Sequence, residues 1–207
     1  MSNSYGFLLS ILMCLCFVVL ILGVVGSIFF FAHRSVKAVN RMWGDLGIAT
    51  GLTLKPAAMF SQPELNGEYR QRPIRLYTYN TGSQGNRITY TAVDLTVNNP
   101  TKAVLEITTT GTVGNFFGKM LNAQDVKIGN TAFDARFVIK SNPPDFGVQV
   151  LGDPRVQMGI MAIPDVFRIE LEGPSLNYSK RGLEENAEFL TKLFNTLSDL
   201  ADRLEHN

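Results

Sequence analysis

No charged side chain occurs in the first 32 residues, and from Phe7 to Ala32 the chain runs for 26 residues rich in Leu, Ile, Val and Phe. As a helix this run would reach roughly 39 Å, against a bilayer core of about 30 Å. A cleaved signal peptide would carry a basic start, a shorter apolar stretch and a small-residue cleavage site. Nothing basic precedes this run, and it is longer than a signal core. The expectation is an uncleaved transmembrane helix over 7–32, preceded by a short extracytoplasmic tail over 1–6. Arg34, Lys37 and Arg41 follow the run, so the positive-inside rule places the N-terminus outside and the rest in the cytoplasm. That describes a single-pass protein of the inner (cytoplasmic) membrane, with the lipid bilayer as its first partner. Gly23, Gly26 and Ser27 supply a patch of small residues at which helices approach closely in lipid. Cys14 and Cys16, two apart, point to different faces of a helix and make no joint site.

Charge divides the remainder. Residues 33–60 hold Arg34, Lys37, Arg41 and Lys55 against Asp45, whereas residues 61–207 hold 15 basic and 17 acidic side chains. The net charge of +1 is thus a +3 collar added to a −2 domain. Such a domain is a poor nucleic-acid binder. Ser35 to Leu46 reads as an amphipathic juxtamembrane helix, with Arg34, Lys37, Arg41 and Trp43 suited to the headgroup zone as interface anchors. Glycines at 44, 47 and 51 and the prolines Pro56 and Pro63 mark the rest of 33–63 as linker.

Residues 64–207 are long enough for one domain with a real core. Period-two alternation marks strands at 73–79, 87–97 and 103–110, and their short links predict an antiparallel meander. Residues 115–122 suggest a short helix. Gly129-Asn130 reads as a two-residue hairpin turn inside DVKIGNTAFDARFVIKS, with Phe133 and Phe137 on the core face and Asp134 and Arg136 as a solvated pair. Prolines at 143, 144 and 154 open two short helices, and 166–171 with 175–179 make a strand pair split by Gly173-Pro174. Arg168, Glu170 and Glu172 share the solvent side of the first of these strands. Last, Leu183, Ala187, Leu190, Phe194, Leu197, Ala201 and Leu204 follow a 4-3-4-3-4-3 spacing. That stripe fits a lid on the chain's own sheet or a helix–helix contact through Leu183, Leu190, Phe194, Leu197 and Leu204. The fold class is α+β: a transmembrane helix, then a curved antiparallel sheet or roll packed by helices and closed by a long amphipathic C-terminal helix.

Chemistry is thinly provided. The two histidines, His33 and His206, lie outside the globular stretch, and so do both cysteines. The usual general base, thiolate and soft metal ligands are therefore missing there, and no catalytic residue, metal ligand, cofactor or small-molecule substrate is assigned. Thr110 to Met120 superficially suggests a phosphate loop, but Val113 and Met120 stand where Gly and Ser or Thr are required. Asn177-Tyr178-Ser179 matches a glycosylation acceptor, a chance match in a cytoplasmic domain. The best basic cluster is Arg70, Arg72, Arg75 and Arg87, whose guanidinium groups suit phosphate or an acidic partner, although basic residues at a strand edge also deter aggregation unaided. Only a polar pocket converging on Asp94, Asp134 or Arg136 would point to an enzyme.

The stretch Val126 to Ser141, with Phe133-Asp134 and Phe137 after Gly129-Asn130, precedes a helix to Leu151 and then Asp153-Pro154-Arg155-Val156. Together with Leu65 to Arg70 upstream, it resembles uncharacterised bacterial membrane-anchored proteins over roughly 64–205. The resemblance implies a cytoplasmic α+β domain with no established catalytic residues. The expected function is binding or scaffolding through contacts with another membrane protein, with copies of the chain, or with the lipid surface. The rivals are an accessory subunit of a larger membrane complex and a membrane-tethered enzyme.

Overall fold

The computed structural model describes residues 13, 17, 19–24, 27, 37–58, 61–83, 85–110, 124–164 and 167–206. Helix α1 covers 37–50. There follow β1 (Thr53–Lys55), β2 (Glu64–Tyr69), β3 (Arg72–Thr81), β4 (Ile88–Thr96), β5 (Val104–Thr109) and β6 (Gln124–Val126). The chain ends with α2 (Thr131–Arg136), β7 (Phe137–Asn142), α3 (Pro144–Leu151), α4 (Pro154–Met161), β8 (Phe167–Glu172), β9 (Ser175–Arg181) and α5 (Ala187–Glu205). The strands form one antiparallel sheet in the order β1-β2-β3-β4-β9-β8-β5-β7-β6. An α+β domain with an antiparallel sheet is what the alternation of the strands predicts.

Among the described residues no helix is long and apolar enough to cross a membrane. This overturns the expected transmembrane helix over 7–32, and with it the membrane and single-pass reading and the inner-membrane localisation. Within that run the longest described piece is the helical stretch 19–24, which at 1.5 Å per residue covers roughly 9 Å of the 30 Å a bilayer core requires. Apart from residues 13, 17 and 27, the rest of the run, including Gly26, lies outside the described residues, as do Arg34 and the expected short helix over 115–122.

The strand order corrects the expected meander. β4 and β5 are consecutive in sequence, yet the β8–β9 hairpin stands between them. The crossing is held where the two connections meet: Val97 N–H donates to the Pro174 carbonyl at 2.9 Å. The Asn99 amide donates to the carbonyls of Ala103 and Gly173, each at 2.9 Å. One polar side chain thus satisfies buried backbone acceptors on both links, a constraint that strand periodicity does not express.

Period two gives the sheet one apolar face. Leu65, Leu76, Val93, Leu95, Leu105, Ile107, Ile169, Leu171 and Leu176 are fully buried there, in a single core cluster shared with the helices. An aromatic chain threads the cluster, with ring centroids 4.6 Å apart from Phe133 to Phe137, 5.6 Å from Phe137 to Phe167 and 5.8 Å from Phe167 to Tyr178. α5 begins at Asn186, whose side chain caps Phe189 N–H at 3.0 Å. It lays Leu190, Leu193, Phe194, Leu197, Leu200 and Leu204 into the core. The heptad stripe is therefore occupied within the chain, and of the five positions expected for helix–helix contact only Leu183 is exposed.

α1 belongs to the same core. Val39, Trp43 and Leu46 are buried in it, so residues 37–58 are packed in the domain where the sequence suggested a juxtamembrane helix and linker. Gly47 permits the close approach: a Cβ there would stand 2.8 Å from the Leu52 carbonyl oxygen and 3.0 Å from a Leu65 methyl. Trp43 is fully buried, and its indole N–H donates to the Glu184 carbonyl at 3.1 Å. That corrects its reading as an interface anchor, because a fully buried ring has no face for a headgroup.

The Gly129-Asn130 hairpin is corrected as well. Asn130 caps α2 by accepting from Ala132 and Phe133 N–H. The Asp134 carboxylate reaches back to accept from Ile128 and Gly129 N–H, each at 3.1 Å. Asp134 is spent on its own turn, and Arg136 donates to the carbonyls of Met161 and Ile163 at 2.6 Å each, closing the end of α4. Trp43→Ala should cost about 3–5 kcal/mol, the loss of a large core side chain, read from chemical denaturation of the full chain. A cost near zero would place the indole outside the core.

Candidate functional site

The sequence-predicted basic cluster is divided by the fold. Arg70 and Gln71 form the two-residue β2–β3 turn with φ of 47° and 64°, the left-handed geometry that tight hairpins require. The turn aims its arginines at α5. Arg70 donates to Asp199 and Asn195 at 2.7 Å, and Arg72 donates to Asp202 at 2.6 Å and to Glu205 at 2.6 and 3.2 Å. Tyr69 adds a hydroxyl donated to Asn195 at 2.9 Å. These arginines clamp the C-terminal half of α5 to the sheet edge. Arg75 lies on the other face, donating to Glu64 at 2.7 Å and covering the Tyr77 ring at 4.5 Å. Arg87 stands exposed in the β3–β4 loop, separated from Arg72 by the length of β3, roughly 30 Å.

Hydrogen bonding to Arg72 is the main cause that holds the Glu205 carboxyl below the usual carboxylate range. A depressed folded value contributes stability above the unfolded pKa and loses it as pH falls through the folded value.

The remaining predicted residues scatter. Lys37 and Arg41 are exposed on α1, while Trp43 is inside. Gly23 has open space around its Cα, and the Ser27 hydroxyl donates to the Val24 carbonyl of its own turn at 2.8 Å. The three residues at any of which a polar pocket would have suggested an enzyme lie in separate places. Asp134 closes its own turn, Arg136 caps α4, and Asp94 lies on the polar face of the sheet.

That face carries the arrangement the sequence did not single out. One row of side chains crosses all nine strands, each residue directly opposite the next: Thr53, Asn66, Arg75, Asp94, Asn177, Glu170, Glu106, Lys140 and Asp125. Asp94 accepts from the Asn177 amide at 2.6 Å and the Ser175 hydroxyl at 3.4 Å. Arg168 bridges Glu106 and Glu170 at 2.8 Å each, which lets Glu106 sit fully buried without an unpaired charge. The outward reading of Arg168, Glu170 and Glu172 thus has the right face, with a bridged network in place of simple solvation.

Beside the row runs a line of planar groups. The Tyr77 and Tyr79 rings lie 6.1 Å apart, and Tyr79 stacks on Tyr90 across the strands at 5.3 Å with planes 11° apart. Burial, and after it the neighbouring Asp94 charge, pushes the Tyr77 phenol up to about 12, and burial likewise raises Tyr79. Both phenols stay protonated at neutral pH and keep their donors. The signal in the sequence was their parity: Tyr77 and Tyr79 alternate with the core residues Leu76 and Thr78, in step with Arg75.

Among the described residues no group of three or more His, Cys, Asp or Glu side chains is placed to hold a metal. On this face Tyr and Arg supply large planar side chains beside a row of mixed charges.

The fold and this face define an α+β protein with helices packed against one face of an antiparallel sheet and a polar, tyrosine-bearing face opposite. Among solved structures the chain is similar to the crystal structure of the mycobacterial trehalose monomycolate transport factor A, TtfA. The match has a TM-score of 0.57 at 12% identity and covers 80% of this chain and 94% of that one. It shows a shared fold. No family model matches the chain. No curated protein matches it.

In an Arg72→Ala variant, stability at neutral pH should fall, and the loss of stability on acidification below about pH 5 should flatten. Denaturation midpoints measured across pH check this, and an unchanged acid slope would remove the clamp's role.

Proposed function

We propose that this chain is a non-catalytic binding protein that recognises another protein through the polar face of its sheet. One observation carries the reading: an unbroken polar row across nine strands that includes Arg75 and is flanked by Tyr77, Tyr79 and Tyr90, on the side opposite the core. A sheet face of ordinary solvent-facing residues has no need of a tyrosine line. Tyrosine and arginine are the residue types that dominate binding hot spots, because each brings a large planar surface and a hydrogen-bonding group at low entropic cost.

A second reading is favoured by the likeness to TtfA, which is named as a transport factor. On that reading this chain is an accessory subunit of a transport machinery, and the polar face is where the machinery is met. Both readings make the same surface the contact.

A photocrosslinking residue placed at Glu172, exposed on the polar face, tests the proposal in intact cells. It should yield a defined protein adduct identified by mass spectrometry. The same probe at Met158, exposed on α4 on the helical side, should not. Equal adducts from both positions, or none from Glu172, would contradict the proposed surface.

A further inference from the structure

On the helix side of the sheet one row at the β3–β4 hairpin end is polar. Thr78, Thr91 and Lys180 stand directly opposite one another on β3, β4 and β9, and all three are buried. The next two rows, Leu76, Val93 and Tyr178, then Ile74, Leu95 and Leu176, belong to the core cluster. Side chains alternate along a strand, so each buried threonine is the neighbour of a tyrosine on the polar face. Thr78 lies between Tyr77 and Tyr79, and Thr91 follows Tyr90.

Hydrogen bonds lead to both threonines from α1. Trp43 Nε1–H donates to the Glu184 carbonyl at 3.1 Å, Glu184 N–H donates to the Thr91 hydroxyl at 2.9 Å, and that hydroxyl donates to the Gly182 carbonyl at 2.8 Å. Gly182 N–H donates to the Thr89 carbonyl at 2.8 Å. The residues on either side of Tyr90 are thus held by one turn. The second path starts at Asn40, whose side chain accepts from Ala57 N–H at 2.6 Å and donates to the Ala57 carbonyl at 2.9 Å. Ala58 exchanges backbone hydrogen bonds with Ser61 at 3.1 and 3.3 Å. The next residue, Gln62, accepts from the Thr78 hydroxyl at 3.0 Å.

Hydrogen bonds are directional and short in range, so a buried hydroxyl follows its partner when the partner moves. α1 is joined to the sheet through β1, a three-residue edge strand, and an element at an edge opens without breaking the strands behind it. Resting on the reading of the polar face as a contact surface, we propose that α1 is a strap that regulates that face. Seated, α1 fixes the backbone on which Tyr77, Tyr79 and Tyr90 stand. Unseated, it releases Thr78 and Thr91, and the tyrosine line loses the spacing that a partner meets. Seating of α1 and contact with the partner favour one another, because coupling between two sites is reciprocal.

Hydrogen exchange of the full chain, read by mass spectrometry, tests the coupling. The Asn40→Ala, Trp43→Phe variant removes the first link of each path and keeps an aromatic ring in the core. It should speed exchange over 76–80 and 88–92 by roughly 2- to 10-fold, the equivalent of one net hydrogen bond. Residues 104–109 and 137–142, on β5 and β7, should keep the wild-type rate. Val156→Ala, a core truncation on α4, should not single out the tyrosine strands. Reciprocity supplies a second measurement that holds even if the first variant fails to fold. Thr91→Val, close in shape but without the hydroxyl, should speed exchange across 37–50, and Thr91→Ser should not.

Unchanged rates over 76–80 and 88–92, an equal rise on β5 and β7, or an α1 indifferent to Thr91→Val would each overturn the coupling. In cells the adduct from the Glu172 probe should fall several-fold in the Asn40→Ala, Trp43→Phe variant, and an undiminished adduct would overturn the regulatory role. Failure of the face itself looks different: with no adduct from Glu172 in the wild-type chain the contact surface falls, while exchange still decides whether α1 holds the tyrosine strands.

Discussion

Burial of the α5 stripe against the apolar face of the sheet is the interaction on which the rest depends. Six large side chains of that helix, Leu190, Leu193, Phe194, Leu197, Leu200 and Leu204, are buried. At about 1.5–3 kcal/mol each they contribute on the order of 10 kcal/mol. That is comparable with the whole net stability of a domain this size, so a sheet without α5 has no folded state to offer. The Arg70 and Arg72 ion pairs add little energy where they face water. Their use is geometric, since they fix which end of the helix meets which hairpin. With the helices committed to one face, the polar residues at every second position are displayed together on the other.

A second joint ties the start of the domain to this frame. Trp43 of α1 donates to the carbonyl of Glu184, the residue whose N–H donates to the Thr91 hydroxyl at 2.9 Å and whose carboxylate accepts from Lys180 at 2.7 Å. Lys180 and Glu184 are nearly buried, and each answers the charge of the other. One short segment between β9 and α5 thus connects α1, β4, β9 and α5. An amphipathic helix with Lys37, Arg41 and one Trp has the same composition at a membrane interface as in this joint. Composition alone favoured the membrane; the buried indole decides for the core.

Much of the fold was legible because period two and the heptad spacing survive any rearrangement of the elements. Strands at 73–79, 87–97 and 103–110 appear within a residue or two as β3, β4 and β5, and Pro143-Pro144 and Pro154 open helices as read. What failed was non-local. No spacing within the chain announces that β8 and β9 insert between β4 and β5, because the Asn99 hydrogen bonds to Ala103 and Gly173 exist only once the links have crossed. Gly129-Asn130 misled for a different reason. Asn serves a turn and a helix cap equally well, and Asp134 four residues on was the group that chose the cap. The candidate site was less legible still. Four arginines close in sequence looked like one cluster, yet the β2–β3 turn sends Arg70 and Arg72 to α5 and strand parity sends Arg75 to the opposite face. The tyrosine line gathers Tyr90 from another strand, so only the cross-strand register reveals it.

The helices close one face of the sheet, and the proposed contact surface is the other. Adjacent residues on the central strand β4 test that division directly: Leu95 is fully buried on the core face and Thr96 is exposed on the other. With Cys14 and Cys16 replaced by serine, single cysteines at these two positions can be labelled with a thiol reagent in the native chain. Thr96→Cys should be modified rapidly, and Leu95→Cys only after unfolding. Equal reactivity at the two positions, or the reverse order, would contradict it.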